Sequence, residues 1–361
     1  MKNNNSKITV IIPYGHNPKQ PERADVLKFA TEQCIHKQTY KNLRLVLVER
    51  SDTPYLKKYA KSSFDEYLFI RKSFGPFSVG KLQNIAIAKL RPNPFFYIHL
   101  PDFLLPLDTI EKTLKLHQKT GAPCVFPFYG AVSLTKPITE GVIKQDIDWQ
   151  KLMTDISKIT SSIDFKDKKN LIDHPKNPNR AQLTESQIKI INKTLPEAYK
   201  SYNLSKTHSD RDLWGNDIDS QFNFYGNFKS PGEDETIGNF RSGPRAKPSY
   251  LCLTEKFIEV GGTTVKNKGW NCEDLWFWEK LRTFDPNYSI DNYGIYYRGK
   301  MLSGKYPVTH LWHDISSKLN YYKSAEDSIN IFNKFAALPN EEKLKMIKPL
   351  NLERLEQCQK I

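Results

Sequence analysis

Two adjacent carboxylates, Glu273 and Asp274, stand where the glycine-opened stretch Gly269-Trp270-Asn271-Cys272 meets the aromatic run Leu275-Trp276-Phe277-Trp278. One carboxylate of such a pair can take a proton from a hydroxyl while its neighbour holds that hydroxyl's owner by hydrogen bonds. The same pair also suits the first turn of a helix, whose amide end is positive, so the residues alone leave both readings open. Gly261-Gly262 lies shortly before the pair and His310-Leu311-Trp312-His313 after it. Asp102 sits far upstream, at the end of an apolar run. Of the nearby tryptophans, Trp270, Trp276 and Trp278, one can stack on a sugar face while the others serve a core.

Asp102 follows residues 95–100 and precedes Phe103-Leu104-Leu105-Pro106. A carboxylate in such surroundings is costly to bury unless it is paired or binds a metal, and a turn cap is the plainer alternative. His310 and His313, three apart, can face one point, and neutral imidazoles suit Mn²⁺ or Zn²⁺; two ordinary half-buried histidines are the other reading. Lys81 and Asn84 lie on one helical stretch after Gly80, where they can meet a phosphate and a polar ligand or else be surface residues. Arg23 is open in the same way. Glu49 closes an apolar strand and could accept from a base or a ribose hydroxyl.

Elements that alternate in type must position these groups. Ile8-Thr9-Val10-Ile11-Ile12 reads as a buried parallel strand stopped by Pro13. Residues 43–48, 67–70, 95–100 and 122–129 read as further strands, and 23–37, 80–90 and 109–119 as helices. This alternation predicts a doubly wound α/β half, in which ligands bind beyond the carboxyl ends of the strands. Pro13, Tyr14, Glu49 and Asp102 all fall at such ends. Residues 135–248 are polar and rich in Asn, Asp, Lys and Ser, which marks an insertion with short helices at 149–159 and 185–193. Within it the basic stretch 241–248 reads either as a lid over phosphates or as a solvated loop. Order returns with a strand at 250–253. The tail after His313 reads as amphipathic helices, including 325–337 and 341–347.

The bulk numbers narrow the classes. The 361 residues, 39% of them hydrophobic, suffice for one large core or two smaller domains. The balance of 54 Lys+Arg against 40 Asp+Glu gives a net charge of +14, which favours phosphorylated small molecules, anionic surfaces or nucleic acid. No basic helix, zinc-finger spacing or RNA-binding aromatic pattern is present, so nucleic acid is not expected as a partner. The five cysteines, Cys34, Cys124, Cys252, Cys272 and Cys358, are widely spaced with no CxxC, which argues for a reducing compartment. No signal-peptide region and no run near the ~20 apolar residues of a membrane span is found. The expectation is a cytoplasmic protein, with peripheral contact at the inner face of a membrane as an addition.

The order and spacing of these stretches resemble the GT-A glycosyltransferases of the family-2 type, and especially the β-1,4-galactosyltransferase-like group. The resemblance runs over about residues 7–130 and 250–315. It rests on Ile11-Ile12-Pro13-Tyr14 with Arg23, Val46-Leu47-Val48-Glu49, Phe77-Ser78-Val79-Gly80-Lys81-Leu82-Gln83-Asn84 and residues 95–106. Val260-Gly261-Gly262, residues 269–274 and His310 to His313 complete it. It implies an α/β GT-A, Rossmann-like domain with a mixed central sheet, a polar insertion and a helical C-terminal tail. The implied parts are a nucleotide-sugar half (1–134), the insertion (135–248), an acceptor-binding half (249–315) and the tail (316–361). The implied activity is inverting transfer of a sugar from a UDP-sugar to a glycan or lipid-linked glycan acceptor. Asp274 would be the base and Glu273 an acceptor ligand. Asp102, His313 and His310 would hold Mn²⁺ or Mg²⁺. Pro13, Tyr14, Arg23, Glu49, Lys81, Asn84 and Gly262 would line the donor site. The chain departs from the family at Leu100-Pro101-Asp102, where the first carboxylate of the DxD motif is absent, and at Tyr14-Gly15-His16-Asn17. A non-catalytic nucleotide-sugar or glycan-binding module on the same fold is the alternative. A nucleotidyltransferase would need a Gly-rich phosphate loop that residues 13–21 do not supply.

Overall fold

The structure is a computed structural model. It describes residues 6–72, 78–127, 131–134, 136–154, 171–174, 177–183, 222–225, 249–263, 273–290, 295–302, 308–311, 331–332 and 334–357. The N-terminal half runs β1 (Ile8–Gly15), α1 (Glu22–Ala30), β2 (Leu43–Ser51), α2 (Lys57–Ser63), β3 (Glu66–Arg71), α3 (Val79–Leu90), β4 (Phe95–Ile98), β5 (Phe103–Leu104) and α4 (Thr109–Thr120). There follow β6 (Cys124–Val125), β7 (Ala131–Leu134), α5 (Lys136–Ile143), β8 (Leu171–His174), β9 (Asn177–Leu183) and β10 (Phe222–Tyr225). The C-terminal part holds β11 (Tyr250–Leu253), α6 (Thr254–Glu259), α7 (Glu273–Phe284), β12 (Tyr288–Ile290), β13 (Ile295–Tyr297), β14 (Lys300–Met301), β15 (Val308–His310), α8 (Asn340–Met346) and α9 (Leu352–Gln357).

The central sheet has the order β3-β2-β1-β4-β11-β6. The first four strands are parallel, and β11 runs antiparallel to both β4 and β6. The expected α/β class with a mixed central sheet is thus found. Alternate residues face opposite sides, as the pleat requires. Val10, Ile12, Leu47 and Tyr97 join one apolar cluster with Val26 and Leu27 of α1. Ile11, Val46, Val48, Phe96 and Ile98 join another with Leu82 and Ile85 of α3 and Phe277 and Leu281 of α7. The sheet is therefore covered on both faces, which explains why its strands read as unbroken apolar runs.

Pro13 does not end β1, contrary to expectation. Ile11 O accepts from His99 N at 3.0 Å, so Ile11, and with it Pro13 two residues on, points its backbone toward β4. The β1–β4 pairing stops at Ile11↔Ile98, so the N–H that proline lacks would have had no partner there. Pairing with β2 continues to Gly15↔Arg50. β1 consequently overhangs β4 at the carboxyl edge. The helix expected at 23–37 is also divided: α1 ends at Ala30 and a π-helical turn, Thr31–Ile35, follows. The strand expected over 122–129 shrinks to Cys124–Val125, whose outer edge is closed by the Tyr288 hydroxyl, bonded to both Cys124 N and Cys124 O.

Candidate functional site

The strand order reverses direction between β1 and β4: the chain moves outward from β1 to β2 and β3, then returns to the other side of β1. Crevices form at such switch points, beyond the carboxyl ends of the strands. At this edge β1 overhangs β4, and the chain leaves β4 through His99, Leu100, Pro101 and Asp102.

Asp102 is placed by a second sheet, of order β10-β7-β15-β5. β5 begins at the next residue and pairs antiparallel with β15 in the register His310↔Phe103 and Thr309↔Leu104. Leu311 N donates to Asp102 O at 2.8 Å, extending the ladder by one bond. This register sets Asp102 Oδ2 3.5 Å from His310 Nε2, with side-chain exposures of 12% and 24%. The His310 ring stands edge-on to Phe103, with centroids 5.4 Å apart. The structure thus brings together two of the three expected metal ligands, from positions far apart in the chain. His313 lies outside the described residues. A carboxylate and an imidazole are donor types that suit Mn²⁺. They supply two donors; among the described residues no group of three His, Cys, Asp or Glu side chains is disposed to hold an ion.

His99, on the chain that leaves β4 toward Asp102, is wholly buried. Neither ring nitrogen makes a hydrogen bond of ordinary geometry to a described residue, although the Phe103 backbone is near enough to favour the charged ring. Burial pushes its pKa down to about 3, against the opposing pull of the Asp102 charge. The only sequence signal for it was a titratable residue at the end of a strand that is otherwise apolar.

On the β1–β2 side, Tyr14 is fully buried and its hydroxyl lies 3.3 Å from His16 Nδ1. Burial raises the Tyr14 pKa, and the Arg23 charge opposes that rise. Arg23 itself is half-buried on α1. The His16 ring stacks on Tyr55, with centroids 3.8 Å apart and planes 13° from parallel. Burial pushes the His16 pKa down despite the pull of Glu49 and Asp52. Tyr55 is 51% exposed, so the stack presents an aromatic face at the sheet edge.

Glu49 does not fill the expected role of a free acceptor. Its Oε1 accepts from Ser51 Oγ and from Tyr55 N at 2.9 Å. Its Oε2 accepts from Leu56 N at 2.8 Å and from Tyr67 OH at 2.7 Å. A carboxylate has about four lone-pair sites, and these four donors occupy them. Wholly buried, Glu49 instead folds the loop that carries Tyr55 under His16.

α3 starts at the same carboxyl edge because it crosses over from β3 to β4. Ser78 Oγ caps it by accepting from Lys81 N at 3.1 Å, and Lys81 is half-exposed in its first turn. Asn84, one turn further, is buried and turned away from the edge. Its Nδ2 donates to Thr263 O at 2.8 Å, and its Oδ1 accepts from Thr263 N and Thr263 Oγ1, both at 3.0 Å. Gly262 serves the same clamp. Its φ is +56°, and a Cβ there would stand 2.4 Å from Asn84 Oδ1. Gly261 has φ +73°, and its Cβ would stand 2.2 Å from Lys348 O. The double glycine is therefore required by close packing on both sides, and the Asn84 side-chain amide is engaged within the fold.

Glu273 and Asp274 open α7, as both readings of the pair require. Trp276, Phe277 and Trp278 behind them are buried, so two of the three tryptophans proposed for stacking belong to the interior; Trp270 lies outside the described residues. The basic stretch 241–248 and residues 155–159 and 185–193 of the expected insertion helices also lie outside them, whereas 149–154 are helical.

No protein-family model and no curated protein matches the chain. Among solved structures it is similar to TarS of S. aureus at 12% identity and a TM-score of 0.37, over 93% of this chain and 41% of that one. Residues 1–349 of TarS in complex with UDP match at 12% identity and 0.37, over 93% and 68% of the two chains. The same fragment in complex with UDP-GlcNAc matches at 12% and 0.39, over 93% and 69%. The chain thus spans less than half the length of the longest of these structures.

Proposed function

We propose that the chain is a GT-A glycosyltransferase that moves a sugar from a UDP-sugar to a hydroxyl of a glycan or lipid-linked glycan. The observation that carries this reading is the Asp102–His310 pair just beyond the carboxyl end of β4, at the switch point between β1 and β4. The His16–Tyr55 stack would take the base, with the Tyr14 hydroxyl fixing the His16 ring. Lys81 and Arg23 would add positive charge beside the diphosphate. Asp102 and His310, with His313, would hold Mn²⁺ or Mg²⁺; such an ion, when bound, neutralises charge on the leaving diphosphate. Asp274 would take the proton of the acceptor hydroxyl as it attacks the anomeric carbon from the face opposite UDP, which inverts that centre, and Glu273 would hold the acceptor. No helix among the described residues is long and apolar enough to cross a membrane, and a cytoplasmic site of action remains part of the proposal.

The first test is a thermal-shift screen with UDP, GDP and CMP, each with Mn²⁺ and with EDTA. A ligand that binds only the folded chain raises its apparent stability. The reading expects stabilisation by UDP that depends on Mn²⁺; the absence of any response to nucleotide would remove it. UDP-GlcNAc, the ligand of the TarS fragment, is the first donor to try for UDP release. Asp274→Asn should leave UDP binding intact and remove release. Binding of UDP-sugars with no release under any acceptor would favour the non-catalytic module, the reading toward which the single acidic residue of Leu100-Pro101-Asp102 points.

A further inference from the structure

α7 is held along one side by the C-terminal part of the chain. Trp276, Glu279 and Lys280 are spaced so that they share a face of the helix. Trp276 stacks on Phe335, with centroids 4.5 Å apart, and meets Phe332 edge-on at 5.7 Å. Ile347 completes this small apolar cluster. Glu279 is wholly buried and accepts from Lys343 Nζ at 2.7 Å and from both nitrogens of the Arg282 fork. Lys280 Nζ donates to Gly261 O at 3.0 Å. The opposite face of α7, with Phe277, Trp278 and Leu281, packs on the central sheet.

The same C-terminal segment then runs across the elements that hold the double glycine. Lys348 O presses on Gly261 closely enough to leave no room for a Cβ. Leu350 N donates to Ile258 O of α6 at 2.8 Å. Glu356 of α9 pairs with Arg91, the C-cap of α3, at 2.9 Å. Buried ion pairs such as Lys343–Glu279 add little net stability because both charges lose their water; what they do impose is geometry. α8 shows this preference plainly, for it turns Lys343 inward and leaves Leu344 and Met346 exposed.

We propose that residues 334–357, with Phe332, are a brace that sets α7, and hence the backbone of Glu273 and Asp274 in its first turn, relative to the Gly261–Gly262 turn. Lys343 and Lys280 are the positioning residues. The inference rests on reading Asp274 as the base, and it assigns to the tail a part in catalysis that the donor site does not need. A base displaced by about 1 Å can lower the rate roughly 10²-fold without any change in donor contacts.

The test uses the full chain with Lys343→Ala and Lys343→Arg. Lys343→Met, which keeps the apolar stem, replaces the alanine variant if that one does not fold. Three quantities are read: backbone hydrogen exchange over 273–284, the Kd of UDP, and the rate of UDP release from UDP-GlcNAc. The brace predicts faster exchange in 273–284, release slowed roughly 10–100-fold, an unchanged Kd, and recovery in the arginine variant. Exchange and release both unchanged in Lys343→Ala would overturn it. So would a loss of UDP affinity in step with release, which marks a general structural defect. If the unmodified chain binds no UDP and releases none, the transferase reading fails and the catalytic role of the brace with it, whereas the exchange measurement still decides whether the segment holds α7.

Discussion

Asn84 and Thr263, 179 residues apart, hold each other by three hydrogen bonds with no water-facing atom between them. The side-chain amide of one residue serves the backbone N–H, the backbone C=O and the hydroxyl of the other. The single hydroxyl proton of Thr263 is shared between Asn84 Oδ1 at 3.0 Å and Gly80 O at 2.7 Å, so the clamp ties the first turn of α3 to the double glycine. Asn84→Ala would strand one buried donor, Thr263 N, and one acceptor, Thr263 O, while the hydroxyl keeps Gly80 O. Each such group costs about 1–3 kcal/mol, so a loss of that order in unfolding free energy is expected by denaturant titration. The Kd of UDP should stay as it was. Weaker UDP binding at full stability would return Asn84 to the donor site.

The Asp102–His310 pair predicts a specific metal phenotype. Asp102→Asn and His310→Ala should each remove most of the Mn²⁺-dependent part of UDP stabilisation and leave the part measured in EDTA. Even partners outside the ligand sphere alter metal affinity roughly 10–100-fold, so a change at least that large is expected in the Mn²⁺ midpoint. Equal Mn²⁺ midpoints in the variants and the unmodified chain would mean that the pair is only a cross-strand contact between β5 and β15.

How far the sequence could be read depends on where each residue's partners lie. β1 was legible in Ile8-Thr9-Val10-Ile11-Ile12 because a strand covered on both faces declares itself in its own residues. Its end is not legible locally, because Pro13 breaks a strand only where the missing N–H would have been bonded, and that depends on how far β4 extends. Glu49 lies near the end of β2 and Asn84 on α3, as the sequence implies, yet both are engaged by partners in the fold, Tyr55, Leu56 and Tyr67 for one and Thr263 for the other. Nothing local distinguishes a polar side chain that meets a ligand from one that meets a distant backbone. Lys343 shows the limit most clearly: a lysine followed by a leucine reads as outward and inward, and the buried Glu279 reverses that.

Tyr55 was not legible as a site residue, since its place depends on Glu49 gathering the loop after β2. If the His16–Tyr55 stack receives the base, Tyr55→Ala should weaken UDP binding by the worth of one base–aromatic contact. That is about 1–3 kcal/mol, or roughly 5- to 150-fold in Kd. Binding of inorganic pyrophosphate, which has no base, should not change. A parallel loss for UDP and pyrophosphate would place Tyr55 in the support of the edge instead of in contact with the base. Glu49→Gln should resemble Tyr55→Ala in UDP affinity and also lower stability, because the amide nitrogen cannot accept the bonds that one carboxylate oxygen now takes.

His99 predicts how the fold responds to acid. Its ordinary pKa of 6.5 is pushed down to about 3 by burial. Between those values the unfolded chain binds a proton that the folded chain does not, so stability is lost as pH falls through that window. The sign is that of a buried neutral imidazole, and by pH 5 the loss from this one group is about 2 kcal/mol. His99→Leu removes the titration, so its unfolding free energy should fall less than that of the unmodified chain between pH 7 and pH 5, by about that amount. Carboxylates titrate in both proteins and cancel in the difference. Because the Asp102 charge acts on His99, the comparison also tests the site's surroundings: two parallel pH curves would mean that the ring is already hydrogen-bonded or charged when folded.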